Sequence, residues 1–124
     1  MKKAIFILMI CFGISSCIPN GGGGTPTGRI KAQLLRTTCA SIVIQIQEPA
    51  FYSLGETWSD IFRPSFAPYE HVVSVSNTCE FPSTINEGDI FYFEINTNTN
   101  NNCVVCAMYD APPTKKVAVK NITR

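Results

Sequence analysis

The chain has 124 residues, of which 45% are hydrophobic, 15% are charged and 10% are aromatic, and its formal net charge is +1. This length fits one domain of ordinary size. A near-neutral charge without a basic stripe argues against a nucleic-acid-binding protein, because that affinity comes mostly from lysine and arginine on phosphates. The single histidine excludes a metal site built from several histidines.

A short basic end and an apolar run occupy residues 1–14, and two serines then lead to a cysteine. The apolar run is too short for a membrane span, which needs about 20 residues. The segment Ile14-Ser15-Ser16-Cys17 resembles the lipobox of a bacterial lipoprotein signal peptide, with isoleucine where the family usually has leucine. An ordinary secretory peptide is the alternative interpretation.

The lipoprotein resemblance implies that residues 1–16 are removed and that Cys17 carries a diacylglyceryl group. Several acyl chains would then anchor the protein to a membrane essentially permanently, since each buried methylene contributes about 0.8 kcal/mol. Ile18 stands where an aspartate would favour inner-membrane retention, so lipoprotein sorting rules imply an outer-membrane, periplasm-facing protein. Without the two lysines of the signal, the net charge of the side chains becomes about −1.

A glycine-rich segment follows the cysteine, and residues 17–28 are therefore predicted to be the lipid anchor and a flexible tether. Eleven such residues span about 17–20 Å on average. Residues 29–124 are predicted to form a single domain.

This domain has the period-two pattern of β-strands. In the stretch 40–47, Ile42, Ile44 and Ile46 alternate with mostly polar residues, and Phe91 and Phe93 alternate similarly in 89–95. The predicted strands are 29–36, 40–47, 70–76, 89–95, 103–109 and 116–123. The pattern predicts an all-β fold, either a small antiparallel barrel or a compact β-sandwich of about six strands, with one short helix in a long connection.

The succession of short strands is similar to the small OB-like barrels of bacterial lipoproteins. The resemblance rests on residues 29–123 and on no diagnostic motif. The long connection before the third predicted strand departs from the OB plan, in which the extra helix follows that strand.

Four cysteines lie in the domain, at Cys39, Cys79, Cys103 and Cys106, and an exported protein is expected to pair them in two disulfides. If 103–106 is a regular strand, Cys103 and Cys106 point to opposite faces, so each must bond to Cys39 or Cys79. If the chain turns there, Cys103 pairs with Cys106. Redox exchange or metal binding by Cys103 and Cys106 is the functional alternative.

Aromatic residues crowd the connection 49–69. Thr57 is predicted to cap a short helix there, because an acidic residue follows three positions later. The aromatic candidates for a binding surface are Trp58, Phe62, Phe66 and Tyr69. The alternative is that these rings plug one end of the barrel.

No catalytic constellation is evident in the sequence. His71 has no G-x-S-x-G elbow or paired acid, and Glu56 and Asp60 lie side by side on one predicted turn instead of facing each other across a cleft. We therefore expect a non-catalytic binding or accessory module of the bacterial envelope, without a cofactor or a metal. Its expected partners are the membrane, through Cys17, and an envelope protein or glycan. A redox or metal-handling lipoprotein is the alternative.

Overall fold

The computed structural model describes residues 28–98 and 103–124, so the signal peptide, Cys17 and most of the tether lie outside the described residues. The described chain is all-β, as predicted. Its strands are β1 (Ile30–Thr37), β2 (Ile42–Ile46), β3 (Glu56–Trp58), β4 (Tyr69–Val75), β5 (Ile90–Ile95), β6 (Lys116–Val117) and β7 (Val119–Thr123). Two short 3-10 helices, Pro49–Leu54 and Thr78–Glu80, lie in the connections. None of the helices in this part of the chain is long and apolar enough to cross a membrane.

All seven strands belong to one sheet, whose order is β3-β4-β2-β1-β5-β7 with antiparallel neighbours. β6 leaves this path and pairs parallel with β4. Only Ala118 separates β6 from β7, so residues 116–123 bond to β4 through β6 and to β5 through β7. The sheet therefore curls into an open barrel, which no continuous ladder closes, as in a partly open OB-like domain.

The side-chain amide of Asn77 pairs with the backbone of β7 near the end of β4, where no continuous strand pairing closes the barrel. The Val119 N–H donates to Asn77 Oδ1 over 2.8 Å, and Asn77 Nδ2 donates to the Val119 carbonyl over 2.7 Å. Asn77 is buried and lies two residues after the end of β4, so its side-chain amide takes the place of a backbone partner for Val119. This contact adds to the backbone bonds from the Ser74 N–H to the Lys115 carbonyl and from the Ser76 N–H to the Val117 carbonyl, which join the same two sides of the barrel beside the two-residue strand β6.

The main core fills the barrel. Its members are Ile30, Ala32, Leu34, Ile42, Ile44, Ile46, Val73, Val75, Ile85, Phe91, Phe93, Val117 and Val119. The predicted inward positions of β2 and β5 are confirmed, since Ile42, Ile44 and Ile46 share this core with Phe91 and Phe93. A second cluster on the outer face of the sheet contains Leu35, Val43, Trp58 and Val72.

Two local predictions are wrong. The segment 103–109 forms no strand, and the helix predicted to start at Thr57 is absent, since Thr57 lies within β3. Its hydroxyl donates to Glu70 across the β3–β4 pair instead of capping a helix. The capping side chain is Asp60, which accepts the Phe62 N–H in a single turn. Pro64 follows that turn, and a proline disfavours helical geometry in the residue before it.

We predict that Asn77→Ala destabilises the domain, because it leaves the buried N–H and carbonyl of Val119 without partners. Each such loss costs about 1–3 kcal/mol. Asn77→Asp should be at least as damaging, since it places an acceptor opposite the carbonyl. Thermal unfolding should show both midpoints several degrees below that of the control Asn98→Ala, an exposed position. Equal midpoints for all three variants would show that the barrel closes without this amide.

Candidate functional site

A β-bulge in β1 turns two consecutive side chains to the outer face. The β1–β2 register shifts between Leu34 and Arg36, where Leu34 pairs with Ile44 and Arg36 pairs with Val43. Leu34 lies in the main core, whereas Leu35 and Val43 lie in the outer cluster. A bulge re-aims side chains in this way. Arg36 therefore lies on the outer face beside Leu35 instead of entering the barrel.

The guanidinium of Arg36 joins two loops. Its Nη1 donates to Asp60 Oδ1 over 2.8 Å, and its Nη2 donates to the carbonyl of Asp110 over 2.7 Å. The Asp110 Oδ2 atom lies 3.2 Å from the same Nη2. All three side chains are at most 4% exposed. Residues far apart in sequence thus meet on one buried cation, which we call the Arg36 cluster (Arg36, Asp60 and Asp110).

Aromatic rings complete the surroundings of this cation. The Arg36 guanidinium carbon lies 4.8 Å from the centre of the Trp58 ring and 5.2 Å from that of Phe62. Trp58 Nε1 donates to the Ala111 carbonyl over 2.8 Å. Arg36 Nε is buried and has no hydrogen-bond partner among the described residues. The two aromatic rings contribute cation–π stabilisation to the guanidinium in addition to its hydrogen bonds.

Asp110 is fixed by hydroxyl groups as well as by the cation. Its Oδ2 accepts hydrogen bonds from Thr38 and Ser41, each over 2.5 Å. Burial raises the pKa of the Asp110 carboxyl, but the hydrogen bonds from Ser41 and Thr38 and the charge of Arg36 outweigh it. The pKa therefore lies below its ordinary value of 3.8.

Exposed apolar side chains cover the two loops that meet at the Arg36 cluster. The first loop exposes Ile61, Phe62 and Phe66, and the second exposes Val104, Val105, Met108 and Tyr109. We call these seven residues the apolar loop surface. Val104 is 92% exposed and Tyr109 is 84% exposed. Single exposed apolar residues are ordinary, but seven on two loops that share the Arg36 cluster make this surface a candidate interaction site.

A groove of about 500 Å³ lies beside the second loop. Its walls combine threonine hydroxyls with apolar side chains and include three disulfide cysteines. The lining residues on which the later argument depends are Cys39, Cys79, Cys103, Val104 and Val105. Among the described lining residues, Glu87 is the charged one, and its carboxylate is engaged, since it binds Arg63 over 2.7 Å and the Thr37 N–H over 2.9 Å.

The structure divides the predicted aromatic surface into two kinds of residue. Phe62 and Phe66 are 56% and 57% exposed, whereas Trp58 is only 7% exposed and packs in the outer cluster. Tyr69 is half-buried against that cluster. Trp58 therefore belongs to the interior, as in the alternative interpretation, because its indole stacks on Arg36 and bonds to Ala111.

Four residues of the apolar loop surface are not among the aromatic candidates predicted from the sequence, namely Val104, Val105, Met108 and Tyr109. Their composition is typical of a strand. The sequence feature that sets this segment apart from the rest of the domain is that positions 96–109 contain neither a charged residue nor a glycine.

The part of the chain that the structure describes contains two disulfides, as predicted for its four cysteines. Cys39 bonds to Cys106 and Cys79 bonds to Cys103, so neither bridge joins Cys103 to Cys106. This is one of the two pairings that a strand at 103–106 would allow, although no strand forms there. The two bridges attach the short segment to two different parts of the barrel.

The sequence candidates for catalysis do not converge. His71 stacks on Tyr52 with ring centres 3.7 Å apart. Glu56 accepts two hydrogen bonds from Thr114, whereas Asp60 binds Arg36, so the two acids form no pair. Within residues 28–98 and 103–124, no group of three or more potential metal ligands occurs.

Comparison with known proteins yields no match: no family model, no curated protein and no solved structure is significantly similar to this chain.

We predict that Arg36→Met lowers the free energy of unfolding by about 3–5 kcal/mol, since it leaves two buried carboxylates without their cation. Arg63→Met is the matched control. Its ion pair with Glu87 is more than one-third exposed, and such pairs contribute about 0–1 kcal/mol. Denaturant unfolding of both variants measures the difference. Similar losses for the two variants would contradict a special role for the buried cation.

We predict that ionisation of Asp110 makes the free energy of unfolding depend on pH in the acid range. Because its folded-state pKa lies below that of the unfolded chain, its stabilisation is present above about pH 4 and is lost as the pH falls through the folded value. Asp110→Asn should remove this term. Unfolding free energy measured from pH 6 to pH 2 should therefore fall less steeply in the variant than in the wild type. Parallel curves would show that Asp110 is not linked to folding.

Proposed function

We propose that this chain is a lipid-anchored, non-catalytic binding module of the bacterial cell envelope, which captures its partner with the apolar loop surface. The observation that carries the proposal is the exposure of seven apolar side chains on two loops that the Arg36 cluster and a disulfide fix in place. A fixed apolar surface binds with a smaller loss of conformational entropy than a mobile one.

The position of this surface in the fold supports the proposal. OB-fold barrels bind ligands with the loops between their first two and their last two strands. Here the connection after β1 carries Cys39 and the connection after β5 carries Cys106, and these two residues form a disulfide. These two connections are therefore bonded to each other covalently. The connection after β5 carries Val104, Val105, Met108 and Tyr109, whereas Ile61, Phe62 and Phe66 lie between β3 and β4.

The direction of β1 also supports the proposal. The tether would enter the strand at Ile30, and the strand ends at Thr37, beside the Arg36 cluster. Seven steps of about 3.3 Å separate the two ends by roughly 23 Å. A domain anchored through Cys17 would thus present the apolar loop surface at the end away from its anchor, towards a partner.

The chemistry of the surface favours a protein partner over a charged ligand. The nearby Arg63 and Glu87 neutralise each other. Recognition would then depend on apolar burial, with Phe62 and Phe66 as aromatic anchors of the kind that dominate interface energetics. A glycan that stacks on these rings is the second class of partner.

The disulfide connectivity does not support the alternative of a redox or metal-handling lipoprotein that uses Cys103 and Cys106. That alternative needs Cys103 and Cys106 as a reactive pair, and these two residues are held in separate disulfides. No zinc or redox function is therefore proposed for that pair.

Photo-crosslinking in cells tests the surface while the partner is still unidentified. A benzophenone-bearing phenylalanine placed at Phe66 or Tyr109 should give discrete crosslinked adducts. The matched controls are Ile90 and Tyr92, exposed apolar residues of β5 outside the apolar loop surface. Adducts at the β5 positions alone, or at none of the four, would refute the proposed surface.

Intact mass measurement tests the anchor separately. Protein extracted from membranes should lack residues 1–16 and carry acyl mass on Cys17. The Cys17→Ser variant should lose that mass and leave the membrane fraction. An unacylated chain that begins after a different residue would indicate an ordinary secretory signal instead.

A further inference from the structure

The disulfide between Cys79 and Cys103 lies at the surface in the wall of the groove. Cys79 is exposed and Cys103 is half-buried. The Cys103 sulfur receives two hydrogen bonds, from the Cys79 N–H over 3.1 Å and from the Thr78 hydroxyl over 3.1 Å. The hydroxyl is the donor, because a disulfide sulfur carries no hydrogen. The two sulfurs of this bridge are therefore unequal.

The other disulfide differs in this respect. Within the described part of the chain, neither the Cys39 sulfur nor the Cys106 sulfur receives a hydrogen bond. The contact beside this bridge is a backbone bond from the Cys106 N–H to the Cys39 carbonyl over 3.2 Å. Both bridges have one exposed cysteine, Cys39 or Cys79, so access alone does not distinguish them.

We infer that Cys79–Cys103 is a thiol–disulfide exchange site, at which an incoming thiolate attacks the Cys79 sulfur and Cys103 departs as the thiolate. Exchange is faster when the departing thiolate is better stabilised, and it also depends on which sulfur is accessible. Here the attacked sulfur belongs to Cys79, the more exposed residue of the two. The N–H and O–H groups already point at the sulfur that receives the electron pair.

The reaction partner is a protein dithiol. Its first thiolate forms a disulfide with Cys79 while the bond from Cys79 to Cys103 breaks and the electron pair goes to Cys103. Its second thiolate then attacks the mixed disulfide and releases the Cys79 thiolate. The dithiol ends as a disulfide, the protein has gained two electrons, and both protein thiolates take up protons from water.

Exchange at this site would alter the groove. Val104 and Val105 line the groove between Cys103 and Cys106. Once Cys103 is released, the disulfide that still attaches this segment to the barrel is the one from Cys106 to Cys39. The groove wall would become mobile while the fold remains. This inference does not depend on the proposed function.

Trapping with glutathione tests the inference directly. The full chain in detergent, with any free thiols first alkylated, is exposed to a limiting amount of glutathione and quenched with N-ethylmaleimide. Peptide mapping should then find glutathione on Cys79 and maleimide on Cys103. Glutathione mainly on Cys103, or opening of Cys39–Cys106 at an equal or higher rate, would overturn the assignment.

A variant tests the role of the hydroxyl. Thr78→Val should slow the opening of Cys79–Cys103 about two- to tenfold, the worth of one hydrogen bond. Thr84→Val, at an exposed position of the neighbouring loop, is the control and should react like the wild type. Equal rates for the two variants would refute the leaving-group argument. The position of the glutathione in the wild type remains decisive if Thr78→Val does not fold.

Discussion

Burial of one cation, Arg36, organises the end of the barrel at which the exposed apolar residues lie. A guanidinium removed from water needs partners for its charge and its donors. Two carboxylates, one carbonyl and two aromatic rings surround that of Arg36, while its Nε has no hydrogen-bond partner among the described residues. Asp60 and Asp110 belong to separate loops, so the requirements of the cation bring those loops together. The β1 bulge is what directs Arg36 to the outer face, where both loops can reach it.

The two disulfides and the buried ion pairs of Arg36 constrain the same end of the barrel. The Cys39–Cys106 and Cys79–Cys103 bridges attach the second loop to the barrel at positions where the described chain offers few backbone hydrogen bonds. The Arg36 cluster fixes the base of both loops beneath the exposed side chains. The resulting surface is apolar, and its two loops are held by buried charges and disulfides.

The repetitive parts of the fold were predictable from the sequence, and the end of the barrel was not. The alternation in β2 and β5 identified the inward residues, because a strand with one buried face has a period of two. The bulge at Arg36 has no such signal, since it depends on the register with β2. The sequence left Trp58 open between a binding surface and the interior, because it shows an aromatic ring but not the buried cation on which that ring stacks. Val104 and Val105 resemble a strand in composition, and the disulfides of the flanking cysteines do not correct that prediction, because the observed pairing is also compatible with a strand.

Amide hydrogen exchange in an Arg36→Lys variant tests this account most directly. Lysine keeps the charge but lacks the fork that reaches Asp60 and Asp110 together. The N–H groups of Phe62 and Arg63, which bond to Asp60, should then exchange at least about tenfold faster, while the Val119 N–H on Asn77 keeps its protection. Unchanged exchange at Phe62 and Arg63, or an equal acceleration at Val119, would show that the buried cation does not order the apolar loop surface.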